Sequence, residues 1–133
     1  MSITICFDFG NTRLKAALFV DSTLQELVVL KDGSVGTVKS LLDEFHPQKT
    51  ILSSVIDHDP EIENLLSQST SFHKLNHLTK LPFTTPVGRP ETIGADRLAL
   101  AAAAVYFYPG KNKRLQLLMQ VYPRQWFPAF RPV

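Results

Sequence analysis

Hydrophobic and polar residues alternate from the first positions of the chain. Ile3, Ile5, Phe7 and Phe9 recur every second residue, which predicts a buried strand over residues 2–9 ending at a Gly10-Asn11-Thr12 turn. Residues 14–20 and 24–31 continue the β pattern, separated by Asp21-Ser22-Thr23, whose short polar side chains favour a turn. Three strands joined by tight turns predict an antiparallel meander.

The period then changes. Val35, Val38, Leu41, Leu42 and Phe45 recur at helical spacing and stop at His46-Pro47, where proline blocks continuation. Residues 50–56 form a β-branched run, and Pro60 stands at a favoured early helix position before Ile62, Leu65 and Leu66. The predicted order is therefore βββαβα. A further strand is expected over 71–75, and the three prolines within 81–90 predict an ordered loop or extended segment. From 92 to 108 the residues are strong helix formers, with Leu98, Ala101, Ala102 and Val105 on one face. Beyond Pro109-Gly110 the pattern degrades, and residues 122–128 mix proline with aromatic side chains at neither period. There is no internal repeat and no low-complexity tract.

At 133 residues and 44% hydrophobic, the chain suits one core, with 9 Phe, 3 Tyr and one Trp to bury. Its net charge of +2 is misleading, because five of the 14 basic residues, Lys111, Lys113, Arg114, Arg124 and Arg131, lie in the last 23 positions. Residues 1–110 carry nine basic and 12 acidic side chains, a net charge of −3, which argues against nucleic acid as a partner. A lone Cys6 excludes an internal disulfide and reads as a small buried strand residue in a reducing compartment. No signal-peptide pattern and no uncharged run of membrane-spanning length occurs, so a cytoplasmic protein with no membrane partner is expected. His46, His58, His73 and His77 are dispersed without metal-ligand spacing and read as surface residues. Trp126, Phe127 and Phe130 fit a partner surface or an unpacked tail equally well.

Two clusters could carry chemistry. Asp8-Phe9-Gly10-Asn11-Thr12 lies where one strand turns into the next, with Lys15 close by. A carboxylate can hold a hydrated magnesium ion, glycine lets backbone approach a phosphate, and Asn, Thr and backbone N–H groups donate to phosphate oxygens. The same residues also make an ordinary hairpin turn. Gly94-Ala95-Asp96-Arg97 opens the alanine-rich helix. There Asp96 is either a partner for the helix dipole and its free N–H groups, or a base that takes a proton from a substrate hydroxyl while Arg97 holds an anionic group.

Together the clusters match a known pattern. The run Asp8-Phe9-Gly10-Asn11-Thr12-Arg13-Leu14-Lys15 resembles the Asp-x-Gly-Asn-Thr-x-x-Lys opening of the type III pantothenate kinases. Pro90-Glu91-Thr92-Ile93-Gly94-Ala95-Asp96-Arg97-Leu98-Ala99 is similar to that family's substrate segment at about the expected distance downstream, and the resemblance covers residues 1–112. It implies an α/β, ribonuclease-H-like domain of the acetate kinase, sugar kinase and actin-like superfamily, which clamps nucleotide between two such domains. It also implies ATP-dependent phosphorylation of pantothenate to 4′-phosphopantothenate, the first step toward coenzyme A. Asp8 through Lys15 would form the ATP phosphate loop, with Asp8 nearest Mg2+. Gly94, Ala95, Asp96 and Arg97 would bind pantothenate, with Asp96 as the catalytic base. Family members are usually homodimers with the substrate site near the subunit interface, so the 92–108 helix is expected to lie partly in that interface.

The sequence departs from the family at two places. Val87 falls where many members carry a tyrosine beside the substrate, which implies weaker pantothenate binding. No second Asp-x-Gly-Thr motif, which in the family serves ATP and an activating potassium or ammonium ion, follows the 92–108 helix. Residues 113–133 therefore read as a poorly ordered, non-family tail, the second domain as missing, and the chain as inactive. Two further readings are a non-catalytic remnant or binding module of the same fold, and another superfamily member such as a sugar kinase or a kinase-like transcriptional activator. The 94–97 segment argues against a sugar kinase.

A frame change near Lys113 is the hypothesis that would account for the tail. The chosen codons TTA CAA TTG TTG ATG CAG GTN encode residues 115–121, and from their third base they read Thr-Ile-Val-Asp-Ala-Gly, similar to the expected strand, although the next position cannot become Thr. Sequencing the encoding DNA should reveal the family's second half in another frame. A gene with no such continuation in any frame refutes the frame change.

Overall fold

In the computed structural model, which describes residues 1–81, 83–84, 93–107 and 131–132, the alternation at the start of the chain builds a central strand. Strand β1 (Ile3–Phe9) turns Ile5, Phe7 and Phe9 into the core and leaves Asp8 exposed on the opposite face. β2 (Leu14–Val20) pairs antiparallel with β1, and β3 (Thr23–Val29) pairs antiparallel with β2, so the predicted meander is present. A register shift between Leu18 and Phe19 interrupts the β2–β3 ladder. The β2–β3 turn is shorter than predicted, because Thr23 already belongs to β3. Asp21 takes a left-handed conformation (φ 55°), which a short polar side chain tolerates. Its backbone N–H donates to Ser2 O at 2.7 Å, and its Oδ1 accepts from Ser2 N at 3.0 Å, tying the turn to the start of β1.

Helix α1 (Val35–Phe45) follows, then β4 (Lys49–Ser54), helix α2 (Pro60–Ser69) and β5 (Ser71–Lys74). β4 pairs parallel with β1 on the side away from β2, and β5 pairs parallel with β4. The result is a five-stranded mixed sheet in the order β3-β2-β1-β4-β5. Parallel neighbours require a crossover connection, and both helices serve as one. Val38, Leu41 and Leu42 of α1 and Ile62 and Leu66 of α2 join Ile5, Phe7, Phe9, Ala16, Leu18 and Leu52 of the sheet in one core. Leu52, Ile62 and Leu66 are fully buried, each contributing on the order of 1.5–3 kcal/mol of transfer free energy.

The helix ends follow local chemistry. α1 is capped by Ser34, whose Oγ accepts from Thr37 N at 3.2 Å, and it stops at His46 in a left-handed conformation (φ 47°) whose N–H donates to Leu42 O. The left-handed cap thus ends the helix one residue ahead of the proline that predicted its stop. α2 starts from Asp59, whose Oδ1 accepts from Glu61 N at 2.9 Å, with Pro60 in the first turn as expected.

The chain divides into two compact units, residues 1–75 and 76–133, and the core above belongs to the first. In the second, strand β6 (Phe83–Thr84) pairs antiparallel with β7 (Arg131–Pro132), and helix α3 spans Ala95–Phe107. α3 starts at Ala95, so Ile93 and Gly94 of the predicted 92–108 helix precede it. Val87, Pro90-Glu91-Thr92, residues 108–130 and Val133 lie outside the described residues, and with them most of the predicted tail and Trp126, Phe127 and Phe130. Among the described residues no helix is long and apolar enough to cross a membrane.

Asp32 supports the entry to α1. Thr37 Oγ1 donates to its carboxylate at 2.6 Å and Ser34 N at 3.0 Å, and these bonds, with the nearby Lys31 charge, lower its pKa to about 2. A depressed carboxylate contributes stability above its ordinary value of 3.8, and that contribution disappears as pH falls through about 2. Asp32→Asn should therefore lower the melting temperature at pH 7, with the difference from wild type closing between pH 3.8 and about 2. A gap that persists at the lowest pH would show that the charge is irrelevant to the cap.

Candidate functional site

The carboxyl end of β1 collects the first cluster. Across the β1–β2 ladder Asp8 is the partner of Lys15 and Phe9 of Leu14, so the acidic and basic side chains stand side by side on one face of the sheet. The four-residue connection is closed by Gly10 N donating to Arg13 O at 3.1 Å. A Cβ at Gly10 would lie 3.3 Å from that oxygen, so any larger residue would press on the turn. Asn11, Thr12 and Arg13 are exposed and Lys15 is half-buried. Phe9 has no exposed surface, its ring packing edge-on against Phe7 at 6.2 Å, and Leu14 packs against the same core. Of the eight predicted loop residues, Asp8, Asn11, Thr12, Arg13 and Lys15 offer polar side chains, Gly10 offers backbone, and Phe9 and Leu14 anchor the turn.

The second cluster opens α3. Ala95 is buried, Asp96 exposed, and Gly94 and Arg97 half-buried. Asp96 Oδ1 accepts from Arg97 N at 2.8 Å, and Gly94 O accepts from Arg97 N at 3.0 Å and Leu98 N at 3.2 Å. Asp96 thus accepts from one first-turn amide, as the structural alternative predicted. That role uses one oxygen of a group able to accept several hydrogen bonds.

His58 corrects a sequence expectation, because it is not a surface residue. Its side chain is only 9% exposed, and its ring lies edge-on to Phe9 at 6.0 Å. Nε2 is 2.7 Å from Glu63 Oε2 and Nδ1 is 3.0 Å from Ser54 Oγ, while the Ser54 hydroxyl donates to Ile56 O at 3.0 Å. The two ring nitrogens thus engage one partner each, Ser54 on β4 and Glu63 on α2. Lys74 Nζ donates to the same Glu63 oxygen at 3.2 Å. Burial alone would raise the Glu63 pKa, but the hydrogen bonds and charges of His58 and Lys74 outweigh it and hold the carboxyl below its ordinary value. This network fastens the β4–α2 connection beside the glycine turn, where Val55 N donates to Phe9 O at 3.0 Å. Dispersed spacing concealed it, since its members come from β4, the following loop, α2 and β5. His46, His73 and His77 are exposed, and no cluster of three metal-ligating side chains occurs among the described residues.

Cys6, on the same sheet face as Asp8, is half-buried rather than fully buried, and burial raises its thiol pKa. Ser53 pairs with Asp8 across the β1–β4 ladder and is buried, and its hydroxyl has no hydrogen-bond partner among the described residues.

Fold and site together define a mixed α/β domain that presents a polar glycine turn at the carboxyl end of a central strand. The sequence profile of the type III pantothenate kinases matches residues 4–115, and the chain belongs to that family. Among its relatives, the type III pantothenate kinase of Christiangramia forsetii is 42% identical over 112 residues, covering 83% of this chain and 46% of the relative. Those of Flavobacterium johnsoniae and Bacteroides fragilis are each 30% identical, over 108 and 111 residues, covering 80% and 83% of this chain and 44% and 46% of their own lengths. The chain thus spans about half the length of the curated relatives it matches.

His58→Ala should reduce stability by about 1–3 kcal/mol in urea unfolding, since it removes the ring's bonds to Glu63 and Ser54 and its packing on Phe9. The Glu63 contribution is present above its ordinary value of 4.5 and is lost as pH falls through the lowered value, so the mutational cost should shrink in acid. A cost independent of pH would show that packing on Phe9, rather than the Glu63 pair, accounts for the effect.

Proposed function

We propose that this chain carries the nucleotide-facing and substrate-facing groups of an ATP-dependent pantothenate kinase, on a ribonuclease-H-like domain of the actin-like superfamily. The observation that carries the reading is the convergence of Asp8, Gly10 and Lys15 on one turn, in a chain belonging to the type III pantothenate kinase family. The donor set fits a magnesium nucleotide, with an exposed carboxylate for a hydrated hard cation and a glycine backbone, Asn11, Thr12 and Lys15 for phosphate oxygens. Bound there, magnesium would neutralise charge on the transferring phosphoryl group.

The chain's own residues then divide the work. Asn11, Thr12 and the turn's N–H groups orient the phosphates, and Lys15 offsets their charge. Gly94, Ala95 and Arg97 hold pantothenate at the start of α3, where helix amides favour an anionic group. Asp96 takes the proton from the primary hydroxyl of pantothenate as that oxygen bonds to the γ-phosphorus and the bond to ADP breaks, leaving 4′-phosphopantothenate. Homodimerisation, a cytoplasmic location and activation by potassium or ammonium belong to the same reading, and no residue of this chain is assigned to the monovalent ion. Nucleic acid and membrane have no part in it.

A second reading, a binding module without turnover, is favoured by the Asp96 carboxylate already accepting from Arg97 N at 2.8 Å. Two measurements separate them. Mg-ATP at a hundredfold excess over its dissociation constant should stabilise the chain by about 2.7 kcal/mol, and Asp8→Asn should abolish the shift. No shift in the wild type would refute the phosphate-loop assignment. In a coupled ADP-release assay with pantothenate, Mg-ATP and potassium, the binding-module reading expects the no-pantothenate background. Release above it that Asp96→Asn removes would overturn the binding-module reading and establish a kinase.

A further inference from the structure

We propose that Ser53 is a second positioning residue of the nucleotide site, its hydroxyl holding the water shell of the divalent cation that Asp8 carries. The inference rests on the phosphate-loop reading above and deepens it. Ser53 stands one residue before Ser54, the last of β4, and the parallel register pairs it with Asp8, placing both side chains on the sheet face opposite the core. There the residue is 8% exposed, and Oγ is the one buried side-chain polar atom among the described residues without a hydrogen-bond partner.

Such an atom needs an explanation, because a buried hydroxyl that gives up water and gains no bond destabilises the folded state. Its neighbours show that the strand has better options. Thr50, fully buried on the same strand, bonds Thr70 Oγ1 at 2.7 Å, and Ser54 bonds both Ile56 O and His58. Packing alone would be served by alanine at Ser53. A hydroxyl both donates and accepts, so it suits the waters around a hard cation, which keeps several of them when a single carboxylate holds it. Asp8 supplies the charge, and Ser53 fixes the direction from which a bound water is held.

The test uses Ser53→Ala in the 133-residue chain, with three readouts. Without ligand, the melting temperature of the variant should equal or exceed that of the wild type, because an unsatisfied hydroxyl has been removed. Mg-ATP affinity, measured by calorimetry, should fall about tenfold or more. Affinity for ATP in EDTA should change little, because the lost contact is to the hydrated cation. Equal losses with and without magnesium would assign Ser53 to phosphate and overturn the cation role. Unchanged Mg-ATP affinity with a lowered melting temperature would make Ser53 a packing residue. A wild-type chain that binds no Mg-ATP would refute the phosphate-loop reading and this inference with it, whereas wild-type binding that the variant retains would refute this inference alone.

Discussion

Burial of the Phe9 ring is the contact from which the rest of the candidate site is organised. Phe9 is the last residue of β1, has no exposed surface, and meets Phe7 along its own strand and His58 from the β4–α2 connection. A strand has a strict period of two, so a residue anchored this firmly at the strand's end leaves its predecessor no choice of side. Asp8 must face away from the core. A slip of one residue would bury the carboxylate and expose three large apolar side chains, which no local gain could offset.

β1 also combines two kinds of pairing. It is antiparallel to β2, so its carboxyl end runs straight into a tight turn and meets the first residues of the next strand. It is parallel to β4, so the same end lies level with the end of β4 and the loop leaving it. Antiparallel pairing brings Lys15 to Asp8, and parallel pairing brings Ser53. Ligands of open α/β sheets gather at the carboxyl ends of parallel strands for this topological reason, since loops from separate strands converge there.

Much of the first unit was legible in the sequence. The period-two pattern of Ile5, Phe7 and Phe9, the helical spacing of Val38, Leu41 and Leu42, and Pro60 before Ile62 each express a local rule, and each element stands where its rule put it. Boundaries were less legible, because caps depend on backbone conformation. His46 ends α1 by adopting a left-handed cap, and α3 begins three residues later than its composition implied. The motif residues of the site were visible because their spacing is short. His58 and Ser53 were not, because their significance comes from neighbours distant in sequence, Glu63 and Lys74 for one and Asp8 for the other.

The Ser53-Ser54 pair shows how the same parity that orients Asp8 also divides labour at the end of β4. Two identical side chains, adjacent in sequence, fall on opposite faces of the sheet and face different chemistry. Ser54 is level with Phe9 and turns to the core side, where Ile56 O and His58 take up its hydrogen-bonding capacity and hold the following loop. Ser53 is level with Asp8 and turns to the other side, where its hydroxyl is buried and, among the described residues, unpaired. Residue type alone cannot distinguish the two. Register can, because it sets one serine against the loop that it holds and the other beside Asp8 on the opposite face.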